Sequence, residues 1–307
     1  MTTPDDANQG LYPTKGLNFQ ILLQFEQILQ SHPELYGHLR DRCNGLVVVG
    51  DARTTQSPQV RMVGGDISIH LPDEWYAFVF LLTSAAYFDM YDPMVRAMAS
   101  GSRNVEIDDN IRRIINESLS SVRTFVNTST LRWPDGLPDN IDEVNPGMVE
   151  WQNIKSIYIA AILFIMLHEV SHIVNDDLHK LDVTPEESKE IETRCDAEAA
   201  RWILAHYDGK IGASDQLGIV IALGAVVACS KNAPSLTHPE PLTRASAVFD
   251  VLDKEMTATL KLVNTGILIW VAKIAGVPDN TINKLLSGEL DIDRVHGNVV
   301  EILRFMA

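Results

Sequence analysis

Eleven consecutive apolar residues, 157–167 (IYIAAILFIML), run directly into His168-Glu169-Val170-Ser171-His172. A stretch of that kind has to be buried. It falls short of the ~20 residues that span a bilayer, so it reads as a core helix, and a chain of 307 residues is long enough to enclose one. Two histidines and a glutamate are therefore carried into the interior, where polar groups without partners are costly. A second run, 217–229 (LGIVIALGAVVAC), reads as another central helix.

The patterning around these runs predicts a mostly helical α+β chain with a small sheet at about residues 46–71. Helical spacing covers 17–31, with a break at Pro33. Strands are expected at 46–50, 60–64 and 67–71, the last two joined as a hairpin at Gly64-Gly65. Helices follow at 74–89, 92–100 and 107–128. Residues 129–149 carry Pro134, Gly136, Pro138, Pro146 and Gly147 and read as a loop or linker. Further helices are expected at 150–175, 185–207, 216–230, 242–259 and 262–275, with one or two short ones in 278–307. Thr184, Pro185 and Glu187 make a helix start before the second of these. The chain thus divides into 1–130 (helices plus the sheet), the loop or linker 131–149, and the helical region 150–307. The two larger parts are read as one domain.

Charge excludes one class of partner. Asp and Glu number 41 against 25 Lys and Arg, a formal charge of −16 with no basic block to offset it. Nucleic-acid binding needs concentrated positive charge. Cys43, Cys195 and Cys229 are too few and too scattered for a disulfide framework or a cysteine-rich zinc site, which points to a reducing compartment. The polar, acidic N-terminus has no secretory pattern, no run is long enough to be transmembrane, and a cytoplasmic location is expected.

The chemistry starts at HEVSH. His168 and His172, four apart on a helix and about 6 Å along its axis, point the same way. Two neutral imidazoles so placed are zinc ligands, and Glu169 stands where a general base is needed. The competing reading is a pair of hydrogen-bonded core histidines. Zinc needs a third protein ligand, and the next helix, EIETRCDAEAARWIL (190–204), places Glu192 and Asp196 on one face. Glu192 as ligand with Asp196 orienting a histidine is the first assignment. The reverse is the second, and Glu198 is a third candidate. Cys195 is read as core, pointing elsewhere on its helix. In THPEPLTR, His238 is placed to donate to an oxyanion and Arg244 to pair with Asp196 or another carboxylate. A surface histidine beside a proline turn is the other reading of His238. Residues 60–71 offer a strand edge to a substrate backbone.

The block HEVSH, ETRCDAEAA, THPEPLTR resembles zinc metallopeptidases of the gluzincin type, in which a glutamate ligand is followed four residues later by aspartate or asparagine, here Glu192 and Asp196. Membrane-associated relatives in that group carry Thr-His-Pro and a following arginine, matching Thr237, His238, Pro239 and Arg244. Cys195 departs from that pattern, where alanine is usual. In length and motif position the chain looks most like the phage-exclusion Lit peptidases, peptidase family U49. The resemblance implies a zincin-like fold with an HExxH active-site helix. It also implies a cytoplasmic zinc endopeptidase that cuts a protein, in that family the translation elongation factor Tu. Two other functions fit the residues: a regulatory or toxin-like binding protein with a structural zinc, and a zinc hydrolase of a non-peptide substrate.

Overall fold

The apolar run becomes the middle of a 26-residue helix covered on every side. The computed structural model describes residues 12–42, 47–49, 57–63, 66–101, 105–138, 141, 149–180, 183–207, 212–230, 241–252 and 258–274. In order, they form α1 (Asn18–Gln30), α2 (Pro33–Arg42), β1 (Val47–Val49), β2 (Gln59–Val63), β3 (Asp66–His70) and α3 (Asp73–Ala86). A π-helical turn (Tyr87–Tyr91) leads to α4 (Asp92–Ser100) and α5 (Asp109–Thr128). The long helix is α6 (Val149–Val174), followed by α7 (Pro185–His206), α8 (Ala213–Ser230), α9 (Pro241–Leu252) and α10 (Ala258–Ile274). The fold is mostly helical α+β with a small sheet.

Helix α6 is apolar all round because α1, α2, α3, α7 and α8 all pack against it. By length and composition it could cross a membrane, but 89% of its most apolar 18-residue window is buried within the protein. One hydrophobic cluster extends from Leu17 to Val271 through α6 and α8. The described part of the Pro/Gly-rich stretch lies on that cluster: Leu131, Leu137 and Ile141 are buried and Trp133 stacks on Phe80.

Glycine lets α8 approach α6. A Cβ at Gly218 would stand 2.5 Å from Ala160 Cβ, 2.6 Å from the Ile157 carbonyl oxygen and 2.8 Å from the Ala161 nitrogen. Alanine is worth ~1 kcal/mol more than glycine in an exposed helix interior. Here the clash is with the backbone of a buried helix, and overpacking of this kind costs ~1–3 kcal/mol. Gly218→Ala is therefore expected to lower the denaturation midpoint. A raised midpoint would mean that the two helices are not seated as described.

The sheet runs β1-β3-β2, with β3 parallel to β1 and antiparallel to β2. The β2–β3 pairing is the expected antiparallel one, while the turn at Gly64-Gly65 lies outside the described residues. Because β3 is paired on both sides, it cannot accept a further strand. Among the described residues of the stretch 60–71, only β2 stands at an edge of the sheet.

The structure adds and shifts elements. Pro33 opens α2 instead of merely breaking α1: proline suits a first helical position, where its missing N–H is no loss, and Leu35 and Leu39 are buried four apart. The described parts of the next two helices are Pro241–Leu252 and Ala258–Ile274, and the expected boundary between them falls next to residues 253–257, which lie outside the described residues. The expected helices in 278–307 lie outside the described residues.

Candidate metal centre

Helices α6 and α7 run antiparallel, so His168 meets Asp196 and His172 meets Glu192. The start of α7 is set by its own sequence. Thr184 Oγ1 accepts from the Glu187 N–H at 3.2 Å, and the Glu187 carboxylate accepts from the Thr184 N–H at 2.9 Å. This reciprocal cap fixes the first turn from which Glu192 is reached less than two turns later. Thr184→Ala is expected to cost about 1 kcal/mol, measured by chemical denaturation; no loss would show that α7 does not depend on its cap.

Three donor atoms converge. His168 Nε2 and His172 Nε2 are 3.3 Å apart, His168 Nε2 is 3.4 Å from Glu192 Oε2, and His172 Nε2 is 3.6 Å from Glu192 Oε1. Ligands about 2.0–2.1 Å from a tetrahedral zinc ion stand about 3.3–3.4 Å from one another. The donor set, two imidazoles and a carboxylate, and its spacing therefore fit that ion. Among the described residues this group has three members and no fourth.

The proton positions agree with the fit. His168 Nδ1 lies 2.9 Å from Asp196 Oδ1. That carboxylate is fully buried and accepts two bonds from Arg244, at 2.5 Å from Nε and 2.8 Å from Nη2. An ionised carboxylate only accepts, so Nδ1 carries a hydrogen whatever the charge of the ring, and Nε2 is the nitrogen left to face the other donors. Nε2 faces a second imidazole and a carboxylate, a place that a proton holds in the metal-free chain and that a metal cation can take instead. Burial alone would lower the His168 pKa, but the Asp196 charge and hydrogen bonds to Asp196 and Glu192 hold it at about 10. Glu192 is likewise opposed by burial, yet His168, Arg244 and His172 keep its carboxyl well below the usual range.

The remaining candidates fall into place around this group. Glu169 is buried next to His168 and lines the same cleft, about 1890 Å³ in volume, as His168, His172, Glu192 and Arg244. Residues 57–60, at the start of edge strand β2, line it too. Arg244 also reaches Glu192, with Nη1 3.5 Å from Oε2. Glu198 is turned away from the donor group and accepts from Ser171 Oγ at 2.6 Å and Asn175 Nδ2 at 2.8 Å. Cys195 is buried, but it faces the site: its Sγ is 3.5 Å from His172 Nδ1, and burial pushes its thiol up to about 12. His238, with Thr237 and Pro239, lies outside the described residues. Two residues that the spacing did not single out, Arg194 and Lys180, bind Asp177 beside His172.

A family model for peptidase U49 matches residues 69–262, which contain every one of these described side chains except those of residues 57–60. The chain belongs to the peptidase U49 family. No curated protein and no solved structure matches it. Membership makes this chain a peptidase. The matched span begins within β3, so the α6–α7–α9 frame lies inside the U49 region and edge strand β2 lies before it.

Proposed function

We propose that this U49 peptidase is a zinc-dependent endopeptidase acting on a protein substrate in the cytoplasm. The observation that carries the reading is the convergence of His168, His172 and Glu192 at zinc-ligand spacing on the wall of a cleft that also holds Glu169. Glu192 is preferred to Asp196 as third ligand because both Asp196 oxygens are already engaged by Arg244 and His168. Zinc held there supplies a Lewis acid that polarises a carbonyl and acidifies water. The Glu169 carboxylate takes a proton from the attacking water and gives it to the departing amine nitrogen. Asp196, clamped by Arg244, keeps the His168 ring in one tautomer. Edge strand β2 lays the substrate backbone across the cleft by strand addition. A translation elongation factor is the first protein to assay, on the strength of the family resemblance alone.

Elemental analysis tests the site. One zinc per wild-type chain is expected, lost in both His168→Ala and Glu192→Ala. Zinc retained in Glu192→Ala would move the third ligand to Asp196, and a wild type that takes up no zinc would end the reading.

Uptake should also move protons. In the metal-free chain the His168 pKa of about 10 lies above neutrality, so the ring is charged there. Nε2 could bind zinc only after losing its proton, so uptake at neutral pH would release about one proton, and affinity would climb as pH rises toward 10. Calorimetry in buffers of different ionisation enthalpy measures this. Uptake with no proton released would contradict it.

A further inference from the structure

His168 and His172 are each backed by a carboxylate, and each carboxylate by a guanidinium. The first chain of contacts is His168, Asp196, Arg244. The second is His172, Asp177, Arg194. His172 Nδ1 lies 3.2 Å from Asp177 Oδ2, and Arg194 Nη2 donates to that same oxygen. Lys180 Nζ donates to the other oxygen at 2.5 Å. The Asp177 side chain is only 6% exposed. Backbone geometry delivers it: Asp176, with φ of 59°, ends α6 in the left-handed region and turns the next residue back toward the helix.

We propose that Asp177, held by Arg194, is the positioning residue of His172. The inference rests on the zinc reading above. Asp177 accepts the Nδ1 hydrogen, so the ring presents its Nε2 lone pair to the donor group and cannot rotate or change tautomer freely. Cys195 Sγ, 3.5 Å from the same nitrogen, is too weak a hydrogen-bond partner to replace a carboxylate. Arg194 sits on α7 two residues after Glu192. One short segment of that helix thus supplies the third ligand and also fixes the support of the second.

The test is zinc affinity of the full chain by chelator competition, together with the electronic spectrum of the cobalt(II)-substituted protein. Asp177→Ala is expected to bind zinc about 10–100-fold more weakly and to shift the cobalt ligand-field bands, with helix content by circular dichroism unchanged. Asp177→Glu should recover part of the affinity, and Arg194→Met should show a smaller loss in the same direction. Wild-type affinity and spectrum in Asp177→Ala would overturn the inference. If that variant fails to fold, Asp177→Asn and Arg194→Met decide it, and unchanged affinity in both overturns it. A wild type that binds neither metal removes the zinc reading and this inference together. A wild type that binds both, with variants that match it, removes only this one.

Discussion

Glu169→Gln lowers peptide-bond turnover by about 10²–10⁴-fold while the chain keeps its zinc. Glutamine has nearly the same shape and can still hydrogen-bond, but it cannot take a proton. Glu169 is not one of the three converging donors, and it shares the cleft wall with them. Its loss should therefore remove proton transfer and leave the ligand group whole. The measurement pairs turnover on a cleaved protein or fluorogenic peptide with zinc content of the same preparation. Retained turnover would mean another base does the work. Lost zinc would place Glu169 among the ligands.

Arg244→Met unfolds the chain more readily, by about 3–5 kcal/mol. Asp196 is fully buried and Arg244 supplies two of its three short contacts. Removing the guanidinium strands a carboxylate in the core, where ionisation without a partner is expensive. Methionine fills most of the volume, so the loss is electrostatic in origin. The double variant Arg244→Met with Asp196→Leu should regain much of the stability, because two apolar groups replace the pair. It should not regain zinc affinity, because His168 Nδ1 then has no acceptor. Chemical denaturation and zinc competition on the two variants separate these effects. Full zinc affinity in the double variant would show that Asp196 does not orient His168.

Local geometry explains what could be read from residues alone. Positions four apart share a helix face whatever the rest of the chain does, which puts His168 with His172 and Glu192 with Asp196. The cap at Thr184 and Glu187 is equally local. Legibility stops where contacts depend on how helices are turned against each other. Cys195 looked like a residue pointing elsewhere, yet the rotation of α7 brings it against His172. Asp176 and Asp177 follow the motif closely enough to be candidates for bounding the cleft or supporting a ligand, but the left-handed turn at Asp176 that brings Asp177 to His172 is flagged by no spacing rule. Helix α2 was missed because PELYGHLRDR is polar and carries Gly37 in its middle. The parallel pairing of β1 with β3 depends on the path of the intervening chain, which the strand patterns do not encode.

The covered helix α6 has a consequence for the chain during synthesis. Its run from 157 to 167 has no charge, proline or glycine. Its main cover, α8, ends at Ser230, about 60 residues later. At ~5–20 residues per second, a nascent chain shows that run to its surroundings for roughly 3–12 s before the covering helix exists. During that interval the segment that later anchors the core is a binding stretch for chaperones and a seed for aggregation. Yield of this protein in a host is therefore expected to follow chaperone supply and growth temperature more closely than the stability of the finished fold.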